Sequence, residues 1–289
     1  DRGTRAQYAT DASVYQIEPL GVVLPRSHDD VEAVVTIAAA HGVPVTARGG
    51  GTSQAGQSIG AGLVVDTSKY LNRLLAVDVD ARTARVEPGL VLDHLNAALA
   101  PHRLRFAPDV SSASRATLGG MMANNSSGAR SVIYGKTGEH VRTQRVVFAD
   151  GSTGELGPLR GAALEAARQG DGVLARACRE LPALAATHAA EIERRYPKVM
   201  RRVGGYALDF FTDAAAPVDL TKVMVGSEGT LGFVTEATVS LVPLPAARAL
   251  LTLEFDDLLD ALAATPIVLR HAPSAAEVMD AYILGHAVG

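Results

Sequence analysis

The apolar positions follow two periods that alternate along the first half of the chain. Val31, Val34, Val35, Ala38 and Ala39 recur at helical spacing behind Ser27, a natural N-cap, and Gly42 supplies the stop. A short β-type run follows at residues 43–47. Its Pro44 has no N–H to donate, so it must face a free edge or open the strand. A second apolar run, Leu63-Val64-Val65, ends at Asp66. Residues 74–87 predict a hairpin, Leu75-Ala76-Val77 and Ala84-Arg85-Val86 flanking a turn at Asp80-Ala81-Arg82. Pro88-Gly89 breaks it before a helix with Val91, Leu92, Leu95, Ala98 and Leu99 on one side. Residues 162–190 are alanine-rich and predict helix, and residues 233–241 alternate as a strand, punctuated by Pro243 and Pro245. Beyond them the pattern predicts a strand over 250–255, a helix across 258–264 and a further piece at 275–280.

Three glycine-dense islands interrupt these elements. The first, Arg48-Gly49-Gly50-Gly51-Thr52-Ser53-Gln54-Ala55-Gly56-Gln57, lies between two candidate buried strands. Glycines let main-chain N–H groups approach a phosphate with no Cβ in the way. Thr52, Ser53 and Gln54 add side-chain donors, and Arg48 adds a positive charge at the loop entrance. A mobile surface turn is the plain alternative; the flanking strands and the run of donors favour a phosphate cradle. The second island runs from Thr117-Leu118-Gly119-Gly120 through Asn124-Asn125-Ser126-Ser127-Gly128 to Gly135-Lys136-Thr137-Gly138. Paired glycines there imply close approach of the backbone to a flat ligand, or a tight helix start packed on a sheet. The third, Gly226-Ser227-Glu228-Gly229-Thr230-Leu231-Gly232, leads into the alternating strand. Better-known glycine motifs fail: Gly60-Ala61-Gly62 lacks the third Rossmann glycine and runs into a strand, and Arg130 stands where a Walker A loop needs glycine.

Composition narrows the function classes. The 289 residues carry 27 basic and 31 acidic side chains, a net charge of −4, which excludes gripping nucleic acid by bulk electrostatics. With 47 % hydrophobic and 20 % charged residues the chain is globular rather than disordered, and its length suggests roughly two domains. The single cysteine, Cys178, allows no intramolecular disulfide and no cysteine-ligated metal cluster. No apolar run reaches membrane-spanning length and the opening residues do not form a signal peptide, so a reducing cytoplasm is the expected location and the Asn124 and Asn125 sequons are discounted. None of the eight histidines is paired at metal-binding spacing; His140 is the one with motif neighbours. Arg194, Arg195, Lys198, Arg201 and Arg202 form a basic cluster, either a solvated face or a docking surface for an acidic substrate or electron-accepting partner.

Taken together, the islands resemble the FAD-binding domain of the vanillyl-alcohol oxidase/p-cresol methylhydroxylase (PCMH-type) superfamily. The branch they resemble is the FAD-linked D-2-hydroxyacid dehydrogenases that act on D-lactate, glycolate or D-2-hydroxyglutarate. The similarity spans about residues 8–245, from Tyr8-Ala9-Thr10-Asp11-Ala12-Ser13 through Pro108-Asp109, Asp150-Gly151-Ser152 and Gly204-Gly205-Tyr206-Ala207-Leu208 to the third island. It implies an α+β fold with a PCMH-type FAD-binding domain over 1–245 (subdomains about 1–73 and 74–245) and the start of an α/β cap over 246–289. The FAD pyrophosphate would rest on Arg48, Gly49, Gly50, Gly51, Thr52, Ser53 and Gln54. Pro108, Asp109, Thr117, Gly119, Gly120, Ala123, Asn124 and Gly128 would line the flavin and ribityl chain. Val141, Glu228, Gly229, Gly232 and Val234 would hold the remainder.

Two departures from the family matter. Relatives that bond FAD covalently place a histidine within the first loop, where this chain has Gly51 and Thr52, so FAD is expected to be non-covalent and dissociable. The histidines and carboxylate of the family's cap do not appear, so no catalytic residue and no metal site is assigned, and the cap is expected to be incomplete. The implied reaction is oxidation of a 2-hydroxy acid to the 2-oxo acid by hydride transfer to flavin N5, with an acceptor protein or quinone taking the electrons. Two alternatives stay open: a non-catalytic FAD module of an electron-transfer complex, and a reductase of the UDP-N-acetylenolpyruvoylglucosamine type. On this reading Gly50→Val blocks FAD while leaving the fold largely intact.

Overall fold

In the computed structural model, which describes residues 1–287, the chain opens with a short helix, α1 (Arg2–Gln7), and a strand, β1 (Gly21–Val23). Helix α2 (His28–Ala40) begins where the sequence places its cap. The Ser27 hydroxyl accepts from the Asp30 amide at 3.1 Å and the Asp30 carboxylate accepts from the Ser27 amide at 3.1 Å, a reciprocal capping box. Strands β2 (Val45–Arg48) and β3 (Leu63–Asp66) follow, and the three strands form a parallel sheet in the order β1-β3-β2. Pro44 sits just ahead of edge strand β2, where its carbonyl accepts from Leu63 and no N–H is needed.

The predicted hairpin is present as β4 (Leu74–Asp78) and β5 (Thr83–Val86), followed by α3 (Leu92–Leu99) and β6 (Leu104–Phe106). Helix α4 (Leu118–Asn124), the one-turn helices α5 (Ser131–Tyr134) and α6 (Thr137–His140), and strands β7 (Val141–Val147), β8 (Thr153–Leu156) and β9 (Pro158–Leu159) come next. Three helices, α7 (Gly161–Ala167), α8 (Val173–Thr187) and α9 (Ala189–Arg195), then lead through β10 (Val218–Asp219) and α10 (Thr221–Met224) to the long strand β11 (Phe233–Pro243). The second sheet runs β4-β5-β11-β7-β8, with β6 also pairing β11, and its pairings are antiparallel. Along β11, Phe233, Thr235, Ala237, Val239 and Leu241 are buried, the period-two pattern that the sequence shows.

Helix α2 joins the two sheets. Val31 and Val35 pack with Val65 of the parallel sheet and with Val147 and Phe233 of the antiparallel one. The largest cluster gathers Leu92, Leu95 and Leu99 of α3, Leu118, Met121 and Met122 of α4, and Phe106, all buried, and so fixes α4 against the antiparallel sheet.

The α+β class stands, and four details differ from the sequence expectation. Residues 162–190 are not one continuous helix: the chain breaks at residues 168–172, where Gly170 has φ +87°. Strand β11 continues through Pro243, which pairs Leu104 at the strand's last position, where a missing N–H is tolerated. The strand expected at 250–255 does not form. Leu250 and Leu251 are 94 % and 79 % exposed, and with no neighbouring strand to complete its hydrogen bonds an alternating run remains irregular. Helix α11 (Leu258–Leu269) runs past the expected 258–264, and residues 275–280 lie outside any element before α12 (Ala281–Ala287). Among the described residues no helix is long and apolar enough to cross a membrane.

Two predictions follow from this packing. Leu95 is fully buried in the largest cluster, and Leu95→Ala is expected to cost about 3 kcal/mol in denaturant unfolding. His28 at the start of α2 meets the Thr235 hydroxyl through Nδ1 at 2.5 Å; that hydroxyl donates to the Arg145 carbonyl, so Nδ1–H must donate and the neutral Nε2 is buried without a partner. Burial, and next the Arg145 charge, hold its pKa below the ordinary histidine value, against weaker opposing pulls from Asp29, Glu32 and Glu236. The unfolded chain therefore binds the proton first, and stability present above about pH 6.5 falls as pH drops through the window below it. Thermal unfolding followed from about pH 7.5 to 5.5 should show this loss, and His28→Gln should flatten it.

Candidate functional site

Between β2 and β3 the chain makes no regular structure, and the main-chain donors of its first nine residues are free. Among the described residues, no backbone amide from 49 to 57 finds an acceptor. Unpaired N–H groups on one short loop are the kind of donors that an anion can use. The loop's shape requires its glycines. Gly51 has φ +65°, and a Cβ on Gly50 would overlap the Arg115 carbonyl. The Ser53 hydroxyl is hydrogen-bonded to the Gln57 side chain, and Gln57 Nε2 donates to Glu228 at 3.4 Å, tying the first island to the third.

Helix α4 contributes differently. Thr117 caps it, and its early amides are already paired: Leu118 to the Leu90 carbonyl at 2.9 Å, Gly119 to Pro88 at 2.7 Å, and Met121 to Thr117 at 2.9 Å. It therefore offers few anion donors: Gly119 packs so closely on Pro88 that a Cβ would come within 2.7 Å of the proline ring, while Gly120 leaves its side open. The third island is pinned to the end of this helix, Gly226 N donating to the Met122 carbonyl at 2.9 Å and Glu228 N to Ala123 at 3.0 Å. Gly226, Glu228 and Gly229 all adopt positive φ, which reverses the chain sharply before β11.

These segments surround one open cleft. Of the residues chosen from sequence, Arg48 and Gly49 line it from the first island, Gly119, Gly120 and Ala123 from the second, and Gly229, Gly232 and Val234 from the third. Gly50, Gly51, Thr52, Ser53 and Gln54 continue the loop beyond the lining. Thr117 serves as the α4 cap. Asp109 is held by Arg130, through its amide at 3.1 Å and its guanidinium at 3.3 Å, and Gly128 lies so close to the Asp109 carbonyl that no Cβ fits. Pro108 and Val141 are buried, while Asn124 and Glu228 are exposed outside the lining. His140 packs edge-on against Phe106 and contacts the Tyr134 carbonyl. The sequence reading missed Ala47, Thr67, Pro88, Met224, Ser227 and Phe233. Of these, Pro88, Met224 and Ser227 lay within or beside segments already singled out, but nothing local marked them as lining. Behind the loop, the Tyr8 hydroxyl donates to Asp66 at 2.6 Å; burial and then this bond push the Tyr8 pKa well above the ordinary tyrosine value, so it remains a donor.

The walls are mostly apolar or glycine, with the hydroxyls of Thr67 and Ser227 among them, and Arg48 is the one ionisable residue lining the cleft. A row of amides for a diphosphate beside a flat, carbon-lined slot fits a flavin dinucleotide. Residues 19–157 match the family model described as FAD binding domain. The chain carries a PCMH-type FAD binding domain. It is 38 % identical over 287 residues to D-2-hydroxyglutarate dehydrogenase of Pseudomonas putida, covering 98 % of this chain and 28 % of that protein. It is 35 % identical over 284 residues to the Escherichia coli protein of the same name, covering 97 % and 28 %, and 31 % identical over 281 residues to glycolate oxidase subunit GlcD of Bacillus subtilis, covering 96 % and 49 %. The chain thus spans 28 % of the length of the D-2-hydroxyglutarate dehydrogenases it matches. Among solved structures, an alkyldihydroxyacetonephosphate synthase superposes with a TM-score of 0.58 at 24 % identity, over 86 % of this chain and 38 % of that one; the likeness is one of fold.

The geometry also corrects the expected mutational probe of this FAD binding domain. Because a Cβ at Gly50 strikes the Arg115 backbone, Gly50→Val would disturb the local fold as well as the ligand. Gly120 is the cleaner probe: a Cβ there meets only the Thr117 hydroxyl, at 3.4 Å, and faces the cleft. Gly120→Leu is expected to weaken FAD binding at least about tenfold by fluorescence titration. Its melting temperature should stay within about 4 °C of the wild type.

Proposed function

We propose that this chain is the FAD-holding part of a flavoenzyme that oxidises a D-2-hydroxy acid, such as D-2-hydroxyglutarate, D-lactate or glycolate, to the 2-oxo acid. The observation that carries this reading is the convergence of three glycine islands on one apolar cleft, in a chain whose relatives are named D-2-hydroxyglutarate dehydrogenase and glycolate oxidase subunit. Bound FAD supplies a two-electron acceptor for the hydride that leaves the substrate's Cα. The residues of this chain bind and orient. The free amides of residues 49–57 neutralise the diphosphate, the Gly119–Gly120 face of α4 lets a flat ring lie close, and Pro88, Met224, Phe233 and Val234 keep water from the slot. Small-molecule substrate, cytoplasmic location and an acceptor protein or quinone complete the proposal.

A second reading rests on one observation. Arg48, whose guanidinium offers donors and no acceptor, is the sole ionisable lining residue, so no base for the hydroxyl proton stands in the cleft among the described residues. In that reading this stretch holds FAD and polypeptide outside it supplies the chemistry. Anaerobic stopped-flow separates the two. Bleaching of the flavin absorbance on mixing with D-2-hydroxyglutarate, D-lactate or glycolate is the outcome expected of a self-sufficient dehydrogenase. A persistent oxidised spectrum with all three supports the module, and bleaching by NADPH alone would turn both readings toward a reductase. Acid precipitation of the yellow protein should release the flavin into the supernatant, as a loop without histidine requires.

A further inference from the structure

An arginine at the mouth of a glycine loop invites assignment as a phosphate ligand, yet the Arg48 guanidinium is engaged elsewhere. Its Nη2 donates to the Thr10 carbonyl at 2.9 Å, its Nη1 to the Ser58 carbonyl at 3.2 Å, and its Cζ lies over the Tyr8 ring, 5.1 Å from the centroid. It passes beneath Gly51, where an added Cβ would come within 2.9 Å of Nη2. The same N-terminal stretch is fastened to the loop and its flanking strand at three further points. The Tyr8 hydroxyl donates to Asp66 at 2.6 Å, the Ser58 hydroxyl to Asp11 at 2.9 Å, and the Ala12 amide to the Gly51 carbonyl at 3.0 Å. Residues 8–12 therefore form a backplate behind the loop, and Arg48 bolts the two together.

We propose that Arg48 is a positioning residue, which with Tyr8 and Asp66 fixes the glycine loop against residues 8–12 so that its free amides face a diphosphate, rather than a ligand of the phosphate itself. The proposal rests on the reading of residues 49–57 as the diphosphate cradle. Physically, a glycine-rich loop with no main-chain hydrogen bonds of its own loses much conformational freedom when a ligand orders it, and pre-ordering from behind removes that cost before binding. Arginine suits the task because its fork reaches carbonyls on two separate segments at once, which a single ammonium cannot. The consequence is selective: disrupting the tie weakens ligands that carry the diphosphate and spares those that occupy only the flavin slot.

The experiment titrates deflavinated protein with FAD and with riboflavin, using flavin fluorescence, for the wild type, Arg48→Lys and Tyr8→Phe. Each variant is expected to raise the Kd for FAD about tenfold, the scale of one lost hydrogen-bonded tie, while riboflavin stays within about twofold. Tyr8→Phe removes one hydroxyl, keeps the ring and decides the matter should Arg48→Lys fold poorly. Wild-type FAD affinity in both variants would overturn the proposal, since charge or the loop alone would then suffice. Equal weakening of FAD and riboflavin would overturn it too, by revealing a general structural role. A wild-type protein with no preference for FAD over riboflavin would instead remove the cradle reading beneath it.

Discussion

The architecture depends on a stretch of main chain that the protein leaves unsatisfied on purpose of shape. Buried or half-buried amides without acceptors are rare in folded proteins, because each forfeits a hydrogen bond that water would otherwise supply. Here the amides of residues 49–57 lack protein acceptors between the parallel strands β2 and β3, on a loop that is half-buried apart from the exposed Gly50, Gln54 and Ala55. The loop cannot relax into a helix or a strand, since its glycines favour neither and its ends are set by the sheet. On the proposed reading an anion supplies the missing acceptors, and the surrounding fold holds the loop open for it.

The two sheets divide the work of building the cleft. The parallel sheet presents the loop; the antiparallel sheet, through the cluster around Leu95, Phe106 and Met121, presents α4 and its glycine face. Helix α2 spans the junction with Val31 and Val35, which keeps the two contributions in register. The turn before β11 closes the third side, held by amide bonds to the last carbonyls of α4. A flavin dinucleotide would thus touch each layer of the molecule, so binding and folding stability should be coupled.

Much of this was legible from sequence, for identifiable reasons. The capping box at Ser27, the hairpin around Asp80 and the alternation of β11 are local patterns, and local patterns survive in the folded chain. The glycine islands were legible because glycine density is rare without a backbone reason. What escaped was non-local. Ala47, Thr67 and Phe233 line the cleft through tertiary placement, with no signature of their own. Arg48 read as a free charge because its carbonyl partners, at positions 10 and 58, are invisible along the chain. The close approach of Gly50 to Arg115 was hidden in the same way. The run at 250–255 misled for the opposite reason: its alternation is genuine, but a strand needs a neighbour and the described residues provide none.

Amide hydrogen exchange, resolved by residue and compared with and without FAD, addresses the central claim most directly. The account requires the amides of residues 49–57 to exchange rapidly in the free protein and to slow on FAD addition. Those of Leu118, Gly119 and Met121, already hydrogen-bonded, should be slow in both states. Strong new protection at the start of α4 with the loop unchanged would place the diphosphate elsewhere and contradict the account.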